Sequence, residues 1–511
     1  MNRQRVVVVG AGMGGLVAAL QLAAQGMDVT VVEAAAGPGG KVRQIEVDGA
    51  PIDSGPTVMT MRWVFDQILG SVGADLDTEL QLRPLSVLAR HWWDDGSTLD
   101  LHADAARSAE AVHAFAGAAE AQRFTAFCAQ AREVYRTLEG PYIRDRMPGM
   151  LGLSARLGPR GIGVLAGLGP MASLWRSLGR HFHDPRLRQL FGRYATYTGS
   201  SPWQAPATLM LIAQVELDGV WSIDGGMHAL ARCLERLARQ HGAVFRYHSP
   251  CARIQTERGR TSGVLLASGE RLAADSVVFN GDIAALRGGL LGPQVQDSVP
   301  TRAQPRSLSA LTWSIHTPTS GLPLDRHNVF FRSDYASEFS DIFGRGRLPA
   351  QPTVYVCAQD RGTGTDPSGA ERLLCLVNAP ALGDQPSRFT PQEIEPCQTA
   401  AFNLLRRCGL RIRQANPPSV LTTPVDFHRL FPATGGALYG QATHGWMSAF
   451  ARPNAATPVD GLFLAGGSVH PGPGVPMAAL SGLRAAEALL ASRGSTRWFP
   501  RVATSGGTST P

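Results

Sequence analysis

Val6-Val7-Val8-Val9-Gly10-Ala11-Gly12-Met13-Gly14-Gly15 is the stretch that decides the fold. Four consecutive valines form an uninterrupted apolar run, as expected of a parallel strand buried on both faces. The glycines that follow read G-x-G-x-x-G at the point where a strand would turn into a helix. Gly10 permits the tight turn, Gly12 lets the backbone approach a pyrophosphate, and Gly15 lets helix and strand pack closely. Ala11, Met13 and Gly14 complete the loop, and the anion is left at the helix N-terminus. From Gly14 to Gln25 the chain is rich in alanine and leucine, with Leu16, Leu20 and Ala23 on one face, and Gly26 supplies the stop. Asp28 to Val32 reads as the next strand and ends in Glu33, whose carboxylate suits ribose hydroxyls and would repel a 2′-phosphate.

Outward from this unit the chain changes character. Residues 104 to 240 look helical, broken by glycine and proline between 148 and 170. Val264 to Leu266 and Val277 to Phe279 read as short alternating strands joined through the turn Ser268-Gly269-Glu270. Residues 305 to 440 mix strands with one helix around Pro391 to Cys408. Gly461 to Ala491 reads as strand, glycine-rich loop and helix. The Ser/Thr/Gly-rich tail, 496 to 511, is expected to be disordered.

Composition excludes several classes. The net charge of +7 comes almost wholly from arginines scattered among acids, Lys41 being the sole lysine, so no nucleic-acid-binding face is indicated. Seven cysteines without CxxC spacing or a histidine cluster indicate neither a disulfide framework nor a metal site, and read as small buried hydrophobes. The N-terminus lacks the pattern of a secretory signal, and no run reaches the ~18 apolar residues of a spanning helix. A cytoplasmic placement is expected.

Motifs at both ends of the chain then carry a resemblance. Gly40-Lys41 and Asp53-Ser54-Gly55-Pro56-Thr57 follow the N-terminal unit. Leu462-Phe463-Leu464-Ala465-Gly466-Gly467 runs into His470-Pro471-Gly472-Pro473-Gly474-Val475-Pro476-Met477 near the other end. This two-ended arrangement resembles the flavoprotein superfamily of amine oxidases and carotenoid desaturases, an α/β fold with a Rossmann-like FAD-binding domain, a β-rich substrate domain and a helical cover. Ala465 to Pro476 resembles the carotenoid desaturase closing motif, Gly225-Gly226-Met227 that family's return into the FAD domain, and Asn280-Gly281-Asp282 its Asn-Ala-Asp element. Tyr355 to Arg361, Leu376 to Pro380 and Gly467 to Met477 are most similar to the bacterial 1-hydroxycarotenoid 3,4-desaturases, also called methoxyneurosporene dehydrogenases.

The resemblance implies FAD as cofactor, with ADP held at the N-terminal unit and the ribityl chain and flavin at Gly466, Gly467, Val475, Pro476 and Met477. Many relatives carry Gly-Asp where this chain has Gly466-Gly467, so backbone groups would replace that carboxylate. Cys251 falls where relatives place backbone against adenine. The resemblance also implies a discontinuous FAD-binding domain (1–90, 221–300 and 455–495), a substrate domain (91–105 and 301–454) and a helical lid facing the membrane (106–220). The implied reaction removes two hydrogens from C3–C4 of an acyclic carotenoid hydroxylated at C1, as in spheroidene and spirilloxanthin synthesis in photosynthetic bacteria. One leaves as hydride to flavin N5 and the other as a proton, with oxygen or a quinone as final acceptor. A phytoene-type desaturase, a flavin-dependent isomerase and an amine oxidase are the competing readings. His470 is either a group acting at the flavin or a turn residue with a structural job.

A C40 polyene should not cross water, so the enzyme is expected to be a peripheral protein that opens onto the bilayer from the cytoplasmic side. Met150 to Phe182 is the docking segment, its uncharged stretch Gly161 to Trp175 flanked by Arg156, Arg160, Arg176 and Arg180. The same segment also reads as a cover over the substrate tunnel. A buried polar group is expected to meet the C1 oxygen, with the strand-rich region 305 to 440 as its source.

Overall fold

The computed structural model describes residues 3–145, 150–169, 171–301, 304–362, 364, 367–412 and 418–498. The valine run forms the strand Arg5–Val9, the centre of a five-stranded parallel sheet. Its neighbours are Asp28–Val32 on one side and Ser276–Phe279 on the other, with Val244–Arg246 and Leu462–Leu464 at the edges. The helix Met13–Ala24 is buried from Met13 through Ala23, which is why its sequence is alanine, leucine and glycine rather than amphipathic. The helices Met227–Gln240 and Val475–Trp498 pack against it and enclose a core that includes Leu16, Leu20, Val29, Leu234 and Leu480.

A second, seven-stranded sheet runs in the order Ser419–Thr422, Ser309–Thr317, Glu371–Ala379, Val354–Ala358, His327–Phe331, Val87–Trp93 and Thr98–His102. It is antiparallel except where His327–Phe331 meets Val87–Trp93. Consecutive residues of these strands point to opposite faces. Trp92 and Phe330 join the core shared with the helix Pro391–Cys408, whereas Trp93 and Phe331 join the core shared with the helical region, among Phe127, Phe182 and Phe191. Both faces are thus covered.

Three expectations need correction or placement. The turn Ser268-Gly269-Glu270 connects Arg260–Leu266 to Arg271–Ala273, not to Val277–Phe279. Ser276–Phe279 is buried at every position and pairs with Arg5–Val9; its uninterrupted apolar run, not alternation, is its signature. The strand Val87–Trp93 runs through residue 90, so a boundary between 90 and 91 falls inside one strand. The helix Val475–Trp498 takes in residues 496–498 of the tail expected to be disordered, and from residue 499 on that tail lies outside the described residues.

The C-terminal helix reaches the dinucleotide helix through glycines. A Cβ at Gly482 would stand 2.1 Å from the Gly14 carbonyl oxygen, and one at Gly14 would stand 2.8 Å from the Gly466 nitrogen. Gly482→Leu therefore forces two buried helices apart, an overpacking that costs about 1–3 kcal/mol or more. The expected result is a lower thermal unfolding midpoint and loss of bound flavin absorbance. An unchanged midpoint with full flavin content would show that the helices do not need this contact.

Candidate active site

The glycine loop and Glu33 come together as one preorganised unit. Gly10 has φ +99°, a conformation that glycine adopts freely. A Cβ at Gly15 would lie 2.0 Å from the Gly10 carbonyl oxygen, so the third glycine is required by helix–strand packing. The Glu33 carboxylate accepts the Ala11 N–H at 2.7 Å and the Ala35 N–H at 2.8 Å, one on each oxygen. Each oxygen keeps acceptor capacity, which is what a ribose diol needs. Ser249 donates its N–H to the Glu33 carbonyl at 2.8 Å, and two residues later Cys251 begins a strand. Its thiol contacts the Arg253 carbonyl, and burial pushes it up to about 11, so it takes no part as a thiolate.

The second motif cluster enters through backbone contacts. Gly39 donates to the Ala11 carbonyl at 2.9 Å, and a Cβ at Gly40 would approach the Gly12 Cα to 3.1 Å. Lys41 packs its carbonyl against Gly55, where a Cβ would sit 1.9 Å away. Its buried amine donates to the Leu438 carbonyl at 2.6 Å. Burial lowers its pKa, Asp282 raises it and Arg452 lowers it further. Asp53 accepts the Met227 N–H at 2.5 Å, which joins the Asp53-to-Thr57 stretch to Gly225-Gly226-Met227.

At the C-terminal motif, Gly466 donates to Ser481 Oγ at 2.7 Å, and the Gly467 carbonyl accepts Arg452 Nη1 at 2.9 Å. Arg452 also donates to the Gln441 carbonyl at 2.9 Å, and burial lowers its pKa to about 10. Sequence reasoning missed it, since one arginine among scattered arginines in a loop gives no signal. His470 does not line the cavity. Its Nε2 meets the Asp145 carbonyl at 3.1 Å and its ring stands edge-on to Tyr142 at 4.9 Å; burial lowers its pKa to about 4. These contacts tie the loop to Tyr142 and Asp145, while Pro471, Pro473 and Val475 line the cavity.

The cavity holds about 930 Å³. Its lining includes Gly55, Pro56, Thr57 and Gly474 to Met477; of the residues expected at the flavin, Val475, Pro476 and Met477 are among them and Gly466 and Gly467 are not. Apolar walls come from Val329, Leu374 and Leu376 of the seven-stranded sheet and from Leu138, Ile143 and Leu211 of the helical region. Polar side chains interrupt them, among them Asn378, Tyr439 and Arg452 and two hydrogen-bonded groups. Tyr355 Oη bridges Thr57 Oγ1 and His327 Nδ1, both at 2.7 Å; burial lowers the His327 pKa to about 3. The second group, Arg193, Tyr197 and Glu216, comes from the helical region, while Tyr355, Asn378 and Tyr439 come from the expected stretch 305 to 440.

Ile162, Met171 and Trp446 both line the cavity and stand exposed, so they mark its mouth. Ile162 and Met171 lie within the stretch Gly161 to Trp175 expected to dock, and Trp446 lies outside it. Trp175 is half-buried against Trp203, ring centroids 4.5 Å apart, and Leu168 is buried. At the mouth the exposed apolar residues are Ile162 and Met171 of that stretch and Trp446, with Met447 exposed beside it in sequence. No helix among the described residues is long and apolar enough to cross a membrane.

Comparison with known proteins sets this geometry in context. Residues 13–490 match the family model described as flavin containing amine oxidoreductase. The chain is 58% identical to the hydroxyneurosporene desaturase of Rubrivivax gelatinosus, over 100% of this chain and 98% of that one. It is 48% identical to the hydroxyneurosporene desaturase of Cereibacter sphaeroides, over 95% and 97%. An oxidoreductase from Methanosarcina mazei shares the fold with a TM-score of 0.60 at 14% identity, covering 94% of this chain and 100% of that one.

The glycine cradle and the open acceptors of Glu33 fit FAD. In Glu33→Gln, an amide NH₂ must face either Ala11 N–H or Ala35 N–H, and one charge-assisted acceptor is lost. Such bonds are worth about 1.5–3 kcal/mol, so FAD affinity should fall about 10- to 100-fold while the fold persists. Titration of apoprotein with FAD, followed by flavin fluorescence, measures it. An unchanged dissociation constant would remove Glu33 from the site.

Proposed function

We propose, from the premise that this chain belongs to the flavin-containing amine oxidoreductases and within them to the carotenoid desaturases, that it forms the C3–C4 double bond of an acyclic 1-hydroxycarotenoid such as 1-hydroxyneurosporene. It is an FAD-dependent oxidoreductase acting on carotenoids. The finer reading is supported by the full-length similarity to hydroxyneurosporene desaturases. The observation that carries it is a single cavity that runs from the flavin-loop residues to an exposed apolar mouth, with polar groups in its interior. On this reading the parallel sheet with its helices forms the FAD-binding domain, the seven-stranded sheet the substrate domain, and the helical region the cover.

FAD bound at this loop supplies the hydride acceptor. The chain's own residues hold the polyene against it and exclude water. Gly474 to Met477 and Gly55 to Thr57 form the floor beside which the target C–H must lie, and Val329, Leu374 and Leu376 press the chain toward that floor. Burial pushes the Tyr355 hydroxyl well above its usual range and holds His327 neutral, so this pair orients by hydrogen bonding and carries no charge.

The mouth explains how substrate arrives. Each methylene gains ~0.8 kcal/mol on leaving water but almost nothing on leaving lipid, so transfer from bilayer to cavity is nearly neutral and needs no aqueous step. Ile162, Met171 and Trp446 at the mouth, with exposed Arg156, Arg160, Arg176 and Arg180 nearby in sequence, suit a peripheral contact on the cytoplasmic face. Electrons then pass to oxygen or to a quinone.

Two measurements test these assignments. At equal loading in the same liposomes, 1-hydroxyneurosporene should be desaturated at C3–C4 in strong preference to neurosporene and phytoene. Comparable rates on all three would refute the hydroxycarotenoid branch and leave the desaturase family intact. Replacing Ile162, Met171 and Trp446 together by serine should release the protein from liposomes and lower activity there, with FAD retained. Unchanged partitioning would move the docking surface elsewhere.

A further inference from the structure

The interior of the cavity contains an arginine whose hydrogen bonds are incomplete. Arg193 begins the short 3₁₀ segment Arg193–Thr198 and is 7% exposed. Its charge is matched by Glu216, itself 3% exposed, but the approach is 3.6 Å, longer than a good hydrogen bond. The Glu216 oxygens are occupied instead by tyrosines, Tyr194 Oη at 2.6 Å on one and Tyr197 Oη on the other. Arg193 Nη1 donates to Tyr197 Oη at 3.0 Å. Nε and Nη2 are buried and have no hydrogen-bond partner among the described residues. A guanidinium has only donors, so these two positions call for an acceptor.

We propose that Arg193 recognises the terminal hydroxyl oxygen of the carotenoid, with Glu216, Tyr194 and Tyr197 holding the guanidinium in place. The inference rests on the hydroxycarotenoid reading above and names the group that would enforce it. The acceptor has to be uncharged. Glu216 already balances the arginine, and a second carboxylate in this apolar cavity would be a buried, unmatched negative charge. A tertiary hydroxyl supplies an acceptor without charge and can donate in turn.

Position agrees with the chemistry. The hydroxyl sits on C1, two bonds from C3, so its anchor must lie close to the hydride acceptor. Arg193 is near enough to depress the pKa of His327, whose ring bonds Tyr355, which bonds Thr57 beside the flavin-loop residues. Arg193, Tyr355 and Thr57 all face the same cavity. A carotenoid without the oxygen displaces any water there and leaves Nε and Nη2 unpaired. Sites built to bond a hydroxyl reject the analogue lacking it by as much as ~10⁴–10⁵.

The test is the ratio of kcat/KM for 1-hydroxyneurosporene to that for neurosporene, measured in liposomes on the FAD-loaded enzyme. Arg193→Met should lower this ratio at least about 100-fold, by loss on the hydroxylated substrate, with neurosporene unchanged or improved. Arg193→Lys should restore part of it. The double variant Arg193→Met/Glu216→Gln removes the stranded carboxylate and should show the same collapse if the single variant folds poorly. An equal loss on both substrates would mark Arg193 as structural and overturn the proposal. So would an unchanged ratio in either variant with flavin content intact, in which case the oxygen is bound elsewhere. A wild-type enzyme with no preference for the hydroxyl would instead overturn the branch reading itself.

Discussion

The close packing of glycine backbone around Asn280 is the contact on which the rest of this protein depends. Asn280 follows the strand Ser276–Phe279, donates its N–H to the Val9 carbonyl at 2.8 Å, and its side-chain amide donates to the Gly10 carbonyl at 3.2 Å. A Cβ at Gly12 or Gly14 would stand 2.8 or 2.7 Å from that side chain, so only bare backbone lets the loop close over it. Gly482 then lies on the Gly14 carbonyl and brings the C-terminal helix into place. Its first turn, Val475 to Met477, is thereby set in the cavity floor beside Gly55 to Thr57. The two ends of the chain meet because no side chain separates them.

This constraint also explains what could be read in advance. The dinucleotide unit and the C-terminal strand–loop–helix were legible because their requirements are local: a strand buried on both faces gives an unbroken apolar run, and a phosphate turn demands glycine at fixed spacing. The helix Pro391–Cys408 was legible for the same reason, and its bounds match the structure. Where the deciding partner is distant in sequence, the reading went astray. Trp175 between arginines looks like an interface anchor until Trp203 covers it. Ser276–Phe279 belongs to a sheet whose other strands lie far away along the chain.

The same limit hid the polar interior of the cavity. Arg193 and Glu216 belong to separate segments of a region that reads only as helical, and neither stands out by spacing. What distinguishes them is burial together. A charged pair in an apolar cavity is costly to desolvate, and its retention is weak evidence for stability. Here the pair is not even well joined, because the tyrosines take the carboxylate and two guanidinium positions stay open. A group kept at such expense is better explained by recognition than by folding.

Recognition of that kind sets how much of the substrate the protein must enclose. Transfer of methylenes from lipid into the cavity gains almost nothing, so surrounding the whole polyene would add little affinity. Oxygen at the chain end is different, because it leaves lipid for partners that lipid lacks. The mouth at Ile162, Met171 and Trp446 opens toward the surface, whereas Arg193 is deeply buried. On this geometry the hydroxylated end enters first and the rest of the polyene trails toward the bilayer. Reactivity is then decided by the few carbons between the oxygen and the floor at Gly474 to Met477, and the far end of the molecule is left free to vary.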